Sequence, residues 1–194
     1  MYRIVLVRKF LELLSIPLLI APSTLITLWL LLNSNHSTYR WFLVFLMNLI
    51  LLPTIAVFWL ERRKIISDLD LKRKDERLAF LGLVAILSLV NYLDSLALTA
   101  PRNIQALNLL AFLIIFAMAV ITVFWKVSGH MLILTSFIFL AYIFKGRVAL
   151  YLMPILPLVA AHRLYFKHHN LIQVLGGIIL GFILTNIVFA LFLL

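Results

Sequence analysis

The sequence predicts an all-α integral membrane protein, a polytopic bundle of six to seven transmembrane helices. Hydrophobic residues make up 65% of the 194 residues and charged residues 12%, and the mean hydropathy is +1.15. A soluble domain is about half apolar and a quarter charged. The apolar residues fall in runs of about 20, which is the length that crosses a bilayer core as a helix. Alternation with a period of two is missing, which argues against a β-barrel.

Seven apolar segments are candidates for these helices, within a single transmembrane domain over residues 1–194. They are residues 10–32, 41–60, 79–98, 104–125, 131–144, 148–164 and 171–194. The first follows basic residues and has no cleavage signal, so we expect a retained helix rather than a removed signal peptide. The fifth and sixth are short, and a helical hairpin that does not cross the bilayer completely is the alternative for this pair.

Charge and cysteine content exclude several classes of function. The formal net charge is +10, but the basic residues are not spread over a soluble surface, so nucleic-acid binding is excluded. The chain has no cysteine, and therefore no disulfide, thiol nucleophile or thiolate metal site. No cluster of carboxylates or histidines has the spacing of a metal site, and we predict neither a metal nor a cofactor.

The loops of a seven-span chain alternate between two sides of the membrane. Thirteen Lys and Arg residues fall on one side, which holds residues 1–9, 61–78, 126–130 and 163–170, and four fall on the other. The positive-inside rule predicts that the first side is cytoplasmic. Four of the five histidines lie in or directly beside these segments: His130, His162, His168 and His169. Segments that are far apart in sequence can therefore meet at that end of the bundle.

Three segments of this basic side carry the polar residues on which a function could rest. The first, residues 67–77, includes Lys74 and Arg77. Taken alone, such a charge run is typical of a solvated loop with local ion pairs. Asp68 and Asp70 could contact a cation, but ion pairing within the loop is the preferred interpretation.

The second segment, residues 125–130, is predicted to open the fifth span. A helix N-terminus presents free N–H groups and a positive dipole end to an anion. Ser128 can cap this helix, and Gly129 leaves room for a close anion. Lys126 adds a cation, and His130 titrates near neutral pH. The pattern predicts an oxyanion or phosphate site; an ordinary interfacial Trp–Lys pair with a serine cap is the alternative.

The third segment, residues 162–177, closes the sixth span and opens the seventh. If the seventh helix starts near His169, Gln173 lies at i+4 on the same face. Gln173 can then hydrogen-bond to the imidazole and fix its tautomer. A cluster of His and Lys flanking two spans is the alternative. His168 competes with His169 as a candidate nucleophile, but only His169 lies six residues after Arg163.

Taken together, these segments resemble the type 2 phosphatidic acid phosphatase superfamily of membrane lipid phosphatases. The second motif of that family, Pro-Ser-Gly-His, is matched by Ser128-Gly129-His130, with Val127 in place of proline. In the third motif, Arg163 and His169 have the family's spacing, and Gln173 stands where the family has aspartate. The resemblance predicts a phosphatase-like core at about residues 68–194.

The first motif of the family is matched more loosely. Arg77 corresponds to its arginine, with Leu78 in place of the following proline. Asp70 stands where the family has lysine, so Lys72 or Lys74 is the candidate for the missing cation.

The resemblance implies a metal-independent phosphatase of a lipid phosphate or isoprenoid diphosphate held in the bilayer. In the family, the third-motif histidine attacks phosphorus to form a phosphohistidine, and the second-motif histidine protonates the leaving oxygen. Carried over, His169 is the nucleophile and His130 the general acid, with Gln173 orienting His169. The implied phosphate-binding residues are Lys74, Arg77, Lys126, Ser128, Gly129 and Arg163.

Gln173 leaves a second class of function open. A glutamine accepts the imidazole hydrogen bond but supplies no charge. An inactive relative that binds anionic lipid headgroups, or supports another membrane protein, is therefore the alternative. A small transporter is disfavoured, because the polar groups gather at one end of the bundle rather than at the midplane.

Overall fold

The computed structural model describes residues 36–67 and 73–192, and all regular structure in these ranges is helical. Five segments are long and apolar enough to cross a membrane: Leu43–Arg62, Lys74–Ala97, Arg102–Phe124, Gly129–Leu152 and Leu171–Phe192. The predicted all-α, multi-pass membrane class is confirmed. The predicted first span, residues 10–32, lies outside the described residues, as do Asp68, Asp70 and Lys72.

The first described span is a continuous helical rod with a wider turn near its middle. It consists of α1 (His36–Leu46), a π-helical turn (Met47–Leu51) and α2 (Leu52–Arg62). Pro53 lies in the first turn of α2, where it has no N–H to donate to the preceding turn. The hydroxyl of Thr54 donates instead to the carbonyl of Ile50 at 2.6 Å.

Two long helices follow as an antiparallel pair, α3 (Lys74–Ala97) and α4 (Arg102–Phe124). Helix α3 begins five residues before the predicted span at 79–98, so Lys74 and Arg77 are helical rather than part of a loop. Asp75 and Glu76 in its first turn complement the helix dipole. This stabilisation allows a charged turn to extend the helix beyond its apolar stretch.

Side-chain amides that are buried or half-buried connect three helical segments. Asn48 in the π-helical turn donates its Nδ2 hydrogen to Oδ1 of Asn91 on α3 at 2.9 Å. Asn108 on α4 donates to the carbonyl of Asn91 at 3.4 Å. Hydrogen bonds of this kind hold helices together where the surrounding lipid gives no hydrophobic driving force.

The predicted sixth span, residues 148–164, is not a continuous helix. Helix α5 (Gly129–Lys145) ends at Gly146, which has a φ of 66°, a left-handed conformation that glycine adopts readily. A 3₁₀ segment (Gly146–Leu152) and then α6 (Ile155–Tyr165) return the chain. Pro154 and Pro157 confine α6 to 11 residues, a rise of about 16 Å, or half of a bilayer core.

The last helix, α7 (Leu171–Phe192), packs closely against α5. A Cβ on Gly177 would lie 2.6 Å from the carbonyl oxygen of Ser128, and one on Gly181 would lie 2.5 Å from that of Leu132. The Gly177-x-x-x-Gly181 pattern therefore serves packing between α7 and α5. Close approach of this kind needs small residues at the contact.

Candidate functional site

A cavity of about 570 Å³ brings the three polar segments together. Basic and histidine side chains line one end of it: Arg77, Lys126, His130, Arg163, Lys167, His168 and His169. The rest of the wall is mainly apolar and comes from the first rod, α3, α4 and α5. The expectation that distant segments meet at one end of the bundle is confirmed by this lining.

Main-chain hydrogen bonds fix the position of His169 relative to Arg163. Arg163 lies in the last turn of α6 and is 6% exposed. Its carbonyl oxygen accepts the N–H groups of His168 and His169 at 3.1 Å and 3.4 Å. Lys167 in the connecting turn has a φ of 55°, a left-handed conformation that non-glycine residues seldom adopt.

A capping box begins α7 directly after His169. The N–H of Gln173 donates to Oδ1 of Asn170 at 2.9 Å, and the N–H of Asn170 donates to Oε1 of Gln173 at 3.2 Å. This reciprocal pair satisfies two N–H groups at the start of the helix. Gln173 therefore stabilises the helix start as well as contacting His169.

The capping box also determines the tautomer of His169. Nδ1 of His169 lies 3.1 Å from Oε1 of Gln173. The side-chain atom that faces Nδ1 must be the oxygen, because the N–H of Asn170 donates to the same atom. Nδ1 therefore carries a proton and donates it, and the second ring nitrogen, Nε2, keeps its lone pair when the ring is neutral.

The surroundings of His169 keep its ring neutral. Burial, followed by the charges of Lys126 and Arg163, lowers the pKa of His169 to about 4 against the smaller opposing effect of the Gln173 hydrogen bond. An ordinary histidine has a pKa of about 6.5. At neutral pH, His169 thus presents an unprotonated Nε2, the state in which an imidazole is nucleophilic.

The second segment is attached to the third by two hydrogen bonds. Lys126 donates from Nζ to the main-chain carbonyl of His168 at 3.0 Å. The N–H of Ser128 donates to the main-chain carbonyl of Gln173 at 3.1 Å. The ring of Trp125 lies so close to Gly176 that a Cβ there would be 2.7 Å from it. These contacts hold the start of α5 beside the start of α7.

Two predicted phosphate ligands do not reach the cavity. Ser128 is the N-cap residue of α5 by position, but its side chain makes no capping hydrogen bond within the described ranges. Ser128 is fully buried, and its N–H donates to the main-chain carbonyl of Gln173. This N–H is therefore not available for the predicted contact to phosphate. Lys74 donates from Nζ to the carbonyl of Val123 at 2.6 Å, at the end of α4, and does not line the cavity.

The remaining predicted residues divide by position. Arg77, Lys126, Gly129, His130, Arg163 and His169 line the cavity. Gln173 does not line it but holds His169. Lys167 lines the cavity too and had no role in the sequence-based site. Its place between Arg163 and His169 was the signal that could have identified it.

The fold and the cavity define a multi-pass membrane protein whose basic, histidine-containing site opens onto an apolar cavity. Over residues 36–67 and 73–192, no three His, Asp or Glu side chains are grouped so that they could hold a metal ion. Comparison with protein-family models, curated proteins and solved structures gives no match. The likeness to the lipid phosphatases accordingly rests on the motif residues and their spacing.

Replacement of Lys126 tests how much the charge of this side chain contributes to lowering the pKa of His169. Because the ammonium group disfavours a second positive charge nearby, Lys126→Met should raise the pKa of His169 from about 4 towards 6.5. NMR titration of the His169 imidazole measures this change, with His169→Asn to assign the signal. Lys145→Met, at the opposite end of α5, is the control, and an equal change in both variants would contradict the assignment.

Proposed function

We propose that this chain is an integral-membrane phosphatase of lipid phosphates that works through a phosphohistidine at His169. The observation that carries the proposal is the state of His169: a neutral ring with Nδ1–H held by Gln173 and Nε2 unprotonated. This ring lies at the basic end of a largely apolar cavity. A lipid phosphate needs both surroundings, cations for its headgroup and an apolar wall for its tail.

In the first proposed step, Nε2 of His169 attacks phosphorus and a P–N bond forms as the ester P–O bond breaks. The electron pair of that bond goes to the leaving oxygen, which takes a proton from His130. Arg77, Lys126 and Arg163 hold the other phosphate oxygens. Catalysis of phosphoryl transfer rests mainly on such positioning and charge stabilisation.

In the second step, a water molecule attacks the phosphohistidine and the P–N bond breaks. His130, now neutral, accepts a proton from that water, and the electron pair of the P–N bond returns to Nε2. Inorganic phosphate leaves and both histidines regain their starting states. Throughout, the side-chain oxygen of Gln173 accepts a hydrogen bond from Nδ1–H of His169, which keeps the ring oriented.

The bound phosphate group offsets the unfavourable charge of the intermediate. A phosphorylated imidazole with Nδ1–H is cationic, and Lys126 and Arg163 oppose a positive charge on His169. The anionic phosphoryl oxygens lie between these cations and the ring in the proposed complex. We further propose that this end of the bundle faces the cytoplasm, because Lys and Arg are concentrated on that side.

An anionic-headgroup receptor without turnover is the second candidate. The observation that favours it is the capping box, since Gln173 has a structural role that needs no catalysis. Glutamine also brings no negative charge to stabilise a cationic ring. Such a receptor would bind the same ligands in the same cavity and release no phosphate.

Phosphate release from the purified protein separates the two candidates. The panel comprises an isoprenoid diphosphate, an isoprenoid monophosphate, phosphatidic acid and phosphatidylglycerophosphate, each assayed with and without a chelator. Release that survives the chelator supports the metal-independent phosphatase. Tight binding without release, from protein shown to be folded, supports the receptor.

A charged replacement at Gln173 tests its role further. Gln173→Glu keeps the reach of the side chain and the oxygen that accepts from Asn170, and it places a negative charge beside His169 and the start of α7. We expect a higher pKa for His169 and turnover faster by about tenfold, because a carboxylate stabilises the cationic ring that an amide oxygen only orients. Steady-state assays and the imidazole titration measure both effects. Gln173→Met is the uncharged control; a slower Glu variant would contradict the proposed orientation.

A further inference from the structure

The apolar part of the cavity reaches far from its basic end. On α4 it is lined from Thr122, near the basic residues, to Leu107, and the rise of the helix between these two positions corresponds to a depth of about 22 Å. One leaflet contributes only about 15 Å of hydrocarbon. Phe45, Leu107 and Leu110 belong to one buried cluster at the far end, each at most 5% exposed. These three residues form the floor of the cavity.

The cavity is wide enough for a hydrocarbon chain. A volume of about 570 Å³ over about 22 Å gives a mean cross-section of about 26 Å². Carbon chains in contact lie about 4 Å apart, so one extended chain needs about 16 to 20 Å² of cross-section. The cavity therefore accommodates at least one such chain along its whole depth.

We infer that this cavity holds the hydrocarbon tail of a lipid phosphate along its depth and measures the length of that tail against the floor formed by Phe45, Leu107 and Leu110. The inference rests on the proposed function, because it assumes that the phosphate lies at the basic end. It adds the dependence on tail length and the residues that determine it.

Packing, rather than the hydrophobic effect, makes the floor selective. A lipid tail is already in an apolar solvent before it enters, so each added methylene gains little by leaving water. A chain that is too short leaves a void whose lining loses its contacts. A chain that is too long meets buried side chains that have little room to move. Binding should therefore pass through an optimum with chain length.

The experiment measures binding without turnover. Single-chain n-alkylphosphonates, from octyl to octadecyl, are added to the full chain in detergent at a fixed ratio of ligand to detergent. The proposed reaction does not break their P–C bond. Binding is read as the rise in the thermal unfolding midpoint over the ligand-free protein. We expect the rise to peak at one chain length.

Two alanine variants within the same buried cluster identify the residues that form the floor. Leu107→Ala removes three carbon atoms and shortens the side chain by two bonds, so the peak should move to longer chains by about two to three carbons. Leu132→Ala makes the same change in the same buried cluster but does not line the cavity, and its peak should stay in place. Each variant is compared with its own ligand-free midpoint, which removes the effect of the substitution on stability.

The outcomes separate the inference from the proposed function. Stabilisation that is independent of chain length, or an unmoved peak in Leu107→Ala, would overturn the chain-length inference and leave the phosphatase proposal standing. No stabilisation by any phosphonate would overturn the inference together with the phosphate site on which the proposed function depends.

Discussion

Replacing His169 with alanine is expected to abolish phosphate release, by ~10⁴-fold or more, the range found when a catalytic nucleophile is removed. The reason is specific to this ring, because His169 combines a held Nδ1–H with an unprotonated Nε2 at the cavity. Steady-state phosphate release measures the loss. Acid-labile, base-stable labelling of the protein by a ³²P substrate should be lost with it.

His168→Ala is the matched control for that experiment. His168 also lines the cavity, but its ring lies beside His162 and Phe166, with ring centroids 6.5 Å and 6.1 Å away. The carbonyl that holds Lys126 belongs to its main chain and survives the substitution. We expect turnover to stay within about tenfold of the wild type. The reverse result, with His168 essential and His169 dispensable, would refute the assignment of the nucleophile.

Adding one methyl group at Gly181 is expected to destabilise the fold by about 2 to 3 kcal/mol. Its Cβ would lie 2.5 Å from the carbonyl oxygen of Leu132, a backbone atom that cannot move alone. The separation of α7 from α5 would also weaken the hydrogen bond from Ser136 Oγ to the Gly181 carbonyl, now 3.2 Å long. Unfolding of Gly181→Ala in mixed micelles measures the change in free energy.

Gly82→Ala is the control for this effect. Gly82 lies within α3, and a Cβ there meets no atom within 4 Å. Alanine in such a helical position should raise stability by about 0.5 to 1 kcal/mol through its helix propensity. Opposite signs at the two glycines are the expected result. Destabilisation of similar size at both would mean that helix contact does not explain Gly181.

The length of the apolar segments predicted most of the spans, because the thickness of the bilayer sets the length of a helix that crosses it. Residues 41–60, 104–125 and 171–194 closely match the observed Leu43–Arg62, Arg102–Phe124 and Leu171–Phe192. The predicted span at 148–164 failed because apolar composition is shared by an 11-residue helix and a 3₁₀ segment. Pro154 and Pro157 carried the contrary signal, since neither suits the interior of a long helix.

The site was predictable where it depends on helical spacing. The contact of His169 with Gln173 follows from their i, i+4 relation, and it is present. The burial of Ser128 and the Lys74 contact with Val123 depend on packing between helices, which spacing does not report. The cavity also left no sequence signal, because lipid-facing and cavity-facing side chains are both apolar.

The carbonyl of Arg163, which accepts the N–H groups of both His168 and His169, gives the motif spacing a physical meaning. These two hydrogen bonds close a main-chain loop that runs from Arg163 to His169, and the motif spacing sets the size of that loop. Side chains at positions 164–166 can change without altering the loop. A one-residue deletion there would break the hydrogen bonds and displace the imidazole, although every motif residue would still be present. In this loop the chemistry is encoded in the number of residues rather than in their identity.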